Sequence, residues 1–193
     1  MPKVIYKMGG VSADGYVVGP DGKFDWSVPD DELHRFHNEQ TRELGAHLCG
    51  RGLYEVMSYW DTADADPALG EPEREFAGIW QRLPKVVVST TLRSVAGNAR
   101  LVTGDVAAAV ADLKREPGGD VGVGGARLAA SLIELGLVDE LRPFVNPVVL
   151  GGGTPFLPPL KTRLDLELLE TRTFASRVVY LRYRLTGNAR GHG

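Results

Sequence analysis

The chain has 193 residues, 43% hydrophobic and 24% charged, a balance that excludes a disordered chain, a coiled coil and a fibre. Its 22 Lys and Arg against 25 Asp and Glu leave a formal charge of −3 with no basic stripe, which argues against a nucleic-acid partner. The single cysteine, Cys49, excludes an internal disulfide and a cysteine-based metal cluster.

The outlying number is glycine. There are 24, about 12% against a usual ~7%, and the excess must serve turns or places of close backbone approach. No run of ~18 apolar residues is present to cross a membrane. The opening MPKVIYKMGG is too quickly polar for a signal peptide. A cytoplasmic protein is expected.

Residues 4–12 are apolar and β-prone and predict the first strand. A helix follows over 30–44, capped by Asp30 or Asp31, with Leu33, Phe36, His37 and Gln40 on one face and Gly45 as its C-terminal stop. Residues 46–50 form a short apolar run into a second helix, 51–60, and a polar loop then spans 61–73. Helix resumes around Glu75 to Leu83. Residues 85–90 read as the best strand, because three consecutive valines suit a parallel sheet covered on both faces.

A short strand is expected at 99–102, then a helix capped by Asp105 with Val106, Val110 and Leu113 on one side. Residues 120–125 predict a strand running into glycines. The helix 126–136 turns Leu128, Leu132 and Leu135 inward and ends at Gly136. Residues 138–150 are extended. Pro143 and Pro147 place that segment at a sheet edge or bulge, where its apolar surface would suit a homodimer. Segments 164–172 and 177–185 alternate as a terminal antiparallel hairpin. The class is α/β, one domain over 1–186 with a mostly parallel sheet, and 187–193 is expected to be a flexible tail.

Three strand ends carry phosphate-friendly chemistry. GVGGARL (122–128) joins a strand to a helix, so the N–H groups around Gly124, Gly125, Ala126 and Arg127 can approach a phosphate or simply make a tight turn. It is not the Rossmann fingerprint, because Arg127 stands where the third glycine would be. In CGRGLYE (49–55), Gly50 and Gly52 free the backbone and Arg51 offers a planar charged fork. Ser89, Thr90 and Thr91 end the valine strand, with Arg93 within reach. GGGTP (151–155) reads as a loop. His34 and His37 share a helix face but lack a third metal ligand, so no metal is expected. Tyr16, Trp26 and Trp60 are flat surfaces for stacking on a heterocycle or, equally, core residues.

The ordered set of Ser12, Asp14 and Gly15 (S-x-D-G), then Gly50, Arg51, Tyr54 and Glu55 (G-R-x-x-Y-E), V-V-S-T at 87–90, the glycine pair 124–125, and L-V-D-E-L with N-P-V-V-L-G-G-G over 137–153 resembles the dihydrofolate reductase superfamily. Within it, the chain looks like the stand-alone relatives of the riboflavin-biosynthesis reductase domain. The resemblance covers about residues 3–185 and implies a three-layer fold and an NADPH-dependent reductase of a small flat substrate.

It assigns the 2′-phosphate and adenosine end to Arg51, Ser89 and Thr90. The nicotinamide and pyrophosphate fall to Gly124 and Gly125, joined by an unusual cis peptide. The pattern W-x-x-P-x-D, matched by Trp26, Pro29 and Asp31, implies Asp31 as the acid that holds the heterocycle. Asp14 is the second candidate acid, and Ser12, Tyr16 and Trp26 fall on the substrate side. Two positions depart from the pattern. Leu53 replaces a phosphate-binding Thr, and Val123 replaces a Glu of the ribosylaminopyrimidine site. A module that binds NADPH without chemistry, and a flavoprotein reductase, are the rival readings.

Overall fold

The computed structural model describes residues 1–186; the expected tail at 187–193 lies outside them. In chain order the strands and helices are β1 (Val4–Ser12), β2 (Tyr16–Val18), α1 (Asp31–Arg42), β3 (Leu44–Gly50), α2 (Arg51–Met57), α3 (Glu71–Arg82), β4 (Lys85–Val88), β5 (Ala99–Val102), α4 (Val106–Arg115), β6 (Asp120–Gly124), α5 (Ala126–Glu134), β7 (Glu140–Asn146), β8 (Thr154–Pro155), β9 (Leu166–Thr173) and β10 (Val179–Leu185). The class is α/β, as the alternation of elements predicts. The residues fall into two compact units, one of 1–3 and 29–125, the other of 4–28 and 126 onward.

In the first unit four parallel strands run in the order β5-β4-β3-β6. Val86 and Val87 are buried, which explains the unbroken valine run. Helix α1 begins where the Asp30 carboxylate accepts the Leu33 N–H at 2.9 Å, so Asp30 is the cap and Asp31 the first helical residue. Gly45 is not its stop. The helix ends at Arg42 and Gly45 already lies in β3, where a Cβ would come within 2.7 Å of the Gly119 backbone. Helix α3 starts four residues before the predicted Glu75, because the Glu73 carboxylate accepts the Gly70 N–H at 2.6 Å and Pro72 sits in the first turn. Helix α4 has the predicted cap, Asp105 accepting from Ala107 and Ala108.

Lys85 enters this core as a buried ammonium. It donates to the Trp80 carbonyl at 2.7 Å and to Asn98 Oδ1 at 2.8 Å, and pairs with Asp61 at 3.3 Å. Burial holds its pKa below the ordinary lysine value, against the pull of Asp61. Cys49 is buried near it, and burial pushes its thiol up to about 12, so it behaves as a small apolar side chain rather than a nucleophile.

In the second unit the order is β1-β7-β10-β9, with β1 and β7 parallel and the last pairs antiparallel. The terminal hairpin is therefore present. The edge reading of segment 138–150 is corrected: β7 is bonded on both sides, to β1 and β10. Pro143 is accommodated because the register of β1 shifts between Met8 and Val11, just past the Met8–Pro143 pair.

A small antiparallel pair, β2 with β8, closes against this unit. Tyr6 stacks on Phe156 at 4.4 Å between centroids and donates its hydroxyl to the Phe156 carbonyl at 2.8 Å. Helix α5 buries Ala126, Ala129, Leu132 and Ile133. Leu135 is 55% exposed because the helix has already ended. Gly136 takes φ +68, and the N–H of Leu137 reaches back to the Leu132 carbonyl at 2.9 Å.

Candidate functional site

In the first unit the C-terminal ends of the parallel β3, β4 and β6 carry Gly50, Ser89 and Gly124, the edge on which open α/β sheets bind ligands. Arg51 opens α2 directly after β3. Its guanidinium donates to Thr91 Oγ1 at 3.2 Å and pairs with Glu55 at 3.3 Å, with about half of its side chain exposed. Ser89 is buried. Its Oγ accepts the N–H groups of Thr91 and Leu92 at 3.2 and 3.1 Å and lies 3.3 Å from Thr91 Oγ1.

Ser89 thus shapes the turn, and the hydroxyl beside Arg51 belongs to Thr91. Thr90 and Arg93 are exposed on the same loop. The resemblance implies Ser89 and Thr90, while the hydroxyl that Arg51 reaches is that of Thr91. The i, i+2 spacing of hydroxyls in a Ser/Thr turn, which bonds residue 89 to the backbone at 91, was the available signal. Tyr54 holds the far end of the loop, its hydroxyl accepting the Ala96 N–H at 2.9 Å.

The four singled-out glycines divide. A Cβ at Gly50 or Gly52 would meet nothing within 4 Å, and one at Gly125 would meet only the Gly50 nitrogen, at 3.9 Å. These three positions leave open backbone. Gly124 does not: a Cβ there would stand 2.1 Å from Leu53 Cδ2 and 2.9 Å from the His47 ring. Leu53, the departure from a phosphate-binding threonine, fills the space over Gly124.

The expected cis bond is absent. No peptide among the described residues is cis, and the chain turns instead through Gly125 at φ +97, a conformation open to glycine. Ala126 is buried and Arg127 exposed in the first turn of α5.

Asp31 is exposed at the first turn of α1, its side chain 3.8 Å from Arg35 and 78% accessible. Asp30, one residue before it, is committed to the cap. His34, on the same helix, stands edge-on to Trp60 and Phe76 at 6.4 and 5.9 Å. Burial holds its pKa below the ordinary value.

In the second unit Ser12 and Asp14 form one local network. Ser12 Oγ donates to Asp14 Oδ1 at 2.6 Å and accepts the Tyr16 N–H at 2.8 Å. Asp14 also accepts the Leu150 and Gly151 N–H groups at 3.1 and 2.7 Å. The Ser12 hydroxyl first, and the Leu150 amide next, hold its carboxyl down to about 2. Asp14 thereby ties the start of β2 to the glycine loop at 151–153. Ser12 and Asp14, read from the sequence as substrate-side residue and candidate acid, are thus hydrogen-bonded to each other.

Tyr16 is half-buried in β2. Trp26 is half-buried in a one-turn 3-10 segment, Asp25–Ser27, and its indole N–H is buried with no hydrogen-bond partner among the described residues. Gly10, in the irregular part of β1, makes room for that turn: a Cβ there would overlap Ser27 Cβ at 2.2 Å. Among the described residues no helix is long and apolar enough to cross a membrane, and no group of three His, Cys, Asp or Glu is placed to hold a metal.

The family model of the RibD C-terminal domain matches residues 2–180. The uncharacterized protein YyaP of Bacillus subtilis (strain 168) is 32% identical over 178 residues, 92% of each chain. Among solved structures, a candidate riboflavin biosynthesis protein of Shewanella sp. PV-4 superposes with a TM-score of 0.75 at 22% identity, over 97% of this chain and 100% of that one. Dihydrofolate reductase of Enterococcus faecalis, solved with NADP(H), superposes with a TM-score of 0.64 at 18% identity, over 96% and 97%. The last two likenesses show a shared dihydrofolate-reductase-like fold.

Proposed function

The chain belongs to the RibD C-terminal domain family, and from that premise we propose that it is an NADPH-dependent reductase of a flat nitrogen heterocycle of the pterin or pyrimidine class. The observation that carries the reading is the set of Arg51, Thr91 and Ser89 beside three glycines whose Cα positions are uncrowded. A half-exposed guanidinium fork with a hydroxyl at 3.2 Å suits the 2′-phosphate that separates NADPH from NADH. Open backbone at Gly50, Gly52 and Gly125 would let the dinucleotide lie against amide groups without meeting side chains. The dihydrofolate reductase that shares this fold was solved with NADP(H), which supports the same cofactor here.

The reduced nicotinamide, when bound, would supply the hydride; this chain's residues would bind, orient and provide a proton. Alignment is the larger contribution, worth roughly 7–11 kcal/mol in well-oriented systems. Asp31, which the resemblance sets against the heterocycle, is the carboxylate we assign to the proton or to a clamp on an amidine-like ring edge. Val123 is fully buried, so no carboxylate stands at the position where the ribosylaminopyrimidine reductases carry one.

The test is NADPH consumption by the purified protein with dihydrofolate and with 5-amino-6-(5-phosphoribosylamino)uracil, for the parent and for Asp31→Asn. The reading expects turnover with one of these and a fall in kcat in the variant. Turnover unaffected by Asp31→Asn removes the acid assignment, and failure to bind NADPH removes the reading.

A further inference from the structure

We propose that Glu55 limits how tightly Arg51 holds a 2′-phosphate, and so sets the margin by which this chain prefers NADPH to NADH. The inference rests on the assignment of Arg51 to that phosphate and adds the residue that tunes it. The two side chains stand one turn apart on α2, with Arg51 Nε 3.3 Å from a Glu55 carboxylate oxygen and each side chain about half exposed.

The order of the two charges does nothing for the helix. Arg51 is the first residue of α2, at the end where the peptide dipoles sum to a positive charge, and no acidic residue occupies that first turn. Glu55 lies a turn nearer the negative end. An arginine four residues before a glutamate is also the weaker order for such a pair. A helix charged for its own stability would carry them the other way round. A guanidinium at Arg51, donating to the Thr91 hydroxyl at 3.2 Å, suits an incoming oxyanion instead.

Glu55 holds the guanidinium at Nε and Thr91 holds it at Nη1. The plane is thus fixed from two sides, with Nη2 turned to neither partner and left for a phosphate oxygen. Carboxylate and phosphate would then flank one guanidinium, about 7 Å apart at ordinary hydrogen-bond lengths. Their repulsion acts through solvent and scales with the charge of the ligand. A phosphate monoester carries about −1.5 to −2 at neutral pH, whereas the 2′-hydroxyl of NADH carries no charge. Glu55 therefore weakens the phosphorylated nucleotide alone. NADPH and NADP+ bear the same phosphate, so the carboxylate loosens both and speeds the exchange of spent cofactor for fresh.

The experiment is calorimetric titration of the full chain with NADP+ and with NAD+, which differ only in the 2′-phosphate. In low salt, Glu55→Gln should bind NADP+ about three- to ten-fold more tightly than the parent, with NAD+ unchanged. The gain should fade as salt rises toward about 0.5 M, where the screening length is shorter than the separation of the two charges. Glu55→Asp keeps the charge and should stay within about two-fold of the parent. The urea midpoint of Glu55→Gln should hold, a result that a structural role for the pair would not give. A Glu55→Gln protein that binds NADP+ no more tightly, or that gains equally toward NAD+, overturns the proposal and leaves Arg51 in its assigned place. A parent that binds the two nucleotides equally overturns both.

Discussion

Leu53 lies on Gly124 so closely that a single added methyl would overlap it, at 2.1 Å from Leu53 Cδ2. The relationship separates glycines that hold the fold from glycines that leave surface open. It also shows why a hydroxyl-bearing residue at 53 would forfeit the packing that leucine provides.

Gly124→Ala should destabilise the protein, since the overlap involves Leu53 and the His47 ring in a buried place; overpacking of this kind costs about 1–3 kcal/mol. Gly50→Ala and Gly52→Ala should not. Gly50 has φ −80 and ψ 168, open to any residue, and Gly52 is helical, where alanine gains about 0.5–1 kcal/mol over glycine. Yet both methyls would stand where the dinucleotide is proposed to lie, so NADPH affinity should fall while urea midpoints hold or rise. Gly125→Ala is less informative, because φ +97 strains any side chain with or without ligand.

The acid limb of stability should contain a contribution from Asp14. Its carboxyl is held down to about 2, below the ordinary aspartate value of about 3.9. The ionised form is the one the fold stabilises, so the contribution is complete above the unfolded value and is lost as pH falls through the folded one. Urea unfolding from pH 5 to pH 2 should therefore show a steeper loss in the parent than in Asp14→Asn. Parallel curves would mean the network with Ser12, Leu150 and Gly151 contributes nothing.

Glu140 is 1% exposed, bonded to the Arg142 guanidinium at 2.8 Å and to Arg182 at 2.8 Å. Removing it leaves the buried Arg142 without this counter-charge, a change that typically costs about 3–5 kcal/mol. Glu140→Ala should thus lower the urea midpoint severely. Arg182→Ala should cost less, because that side chain is 27% accessible and Arg142 still answers the carboxylate.

Much of the framework was legible because local signals and burial agreed. The span 4–12, the Asp105 cap, the stop at Gly136 and the terminal hairpin all follow from chemistry within a few residues. Misreadings came where a distant contact decided the outcome. Gly45 looked like a helix stop but is required by the Gly119 backbone, more than seventy positions away. Pro143 fits an edge or a bulge equally from sequence, and the irregularity it sits beside lies in another strand. Leu135 continued the helical stripe past a terminus that Gly136 enforces, leaving Ile133 to fill the core. At the site, Arg51 and the open glycines were readable from their motif. The placement of the Thr91 hydroxyl beside Arg51 depends on a turn closed by Ser89, and the network around Asp14 joins residues 136 apart.

The central claim is that Arg51 reads the 2′-phosphate of a bound NADPH, and paired titrations with NADPH and NADH test it most directly. The parent should bind NADPH at least ten-fold more tightly than NADH, and Arg51→Ala should weaken NADPH by roughly 1.5–3 kcal/mol, the range for a hydrogen bond to a charged group, with little change for NADH. Equal affinities of the parent for the two nucleotides, or an Arg51→Ala protein that weakens both alike, would contradict the account.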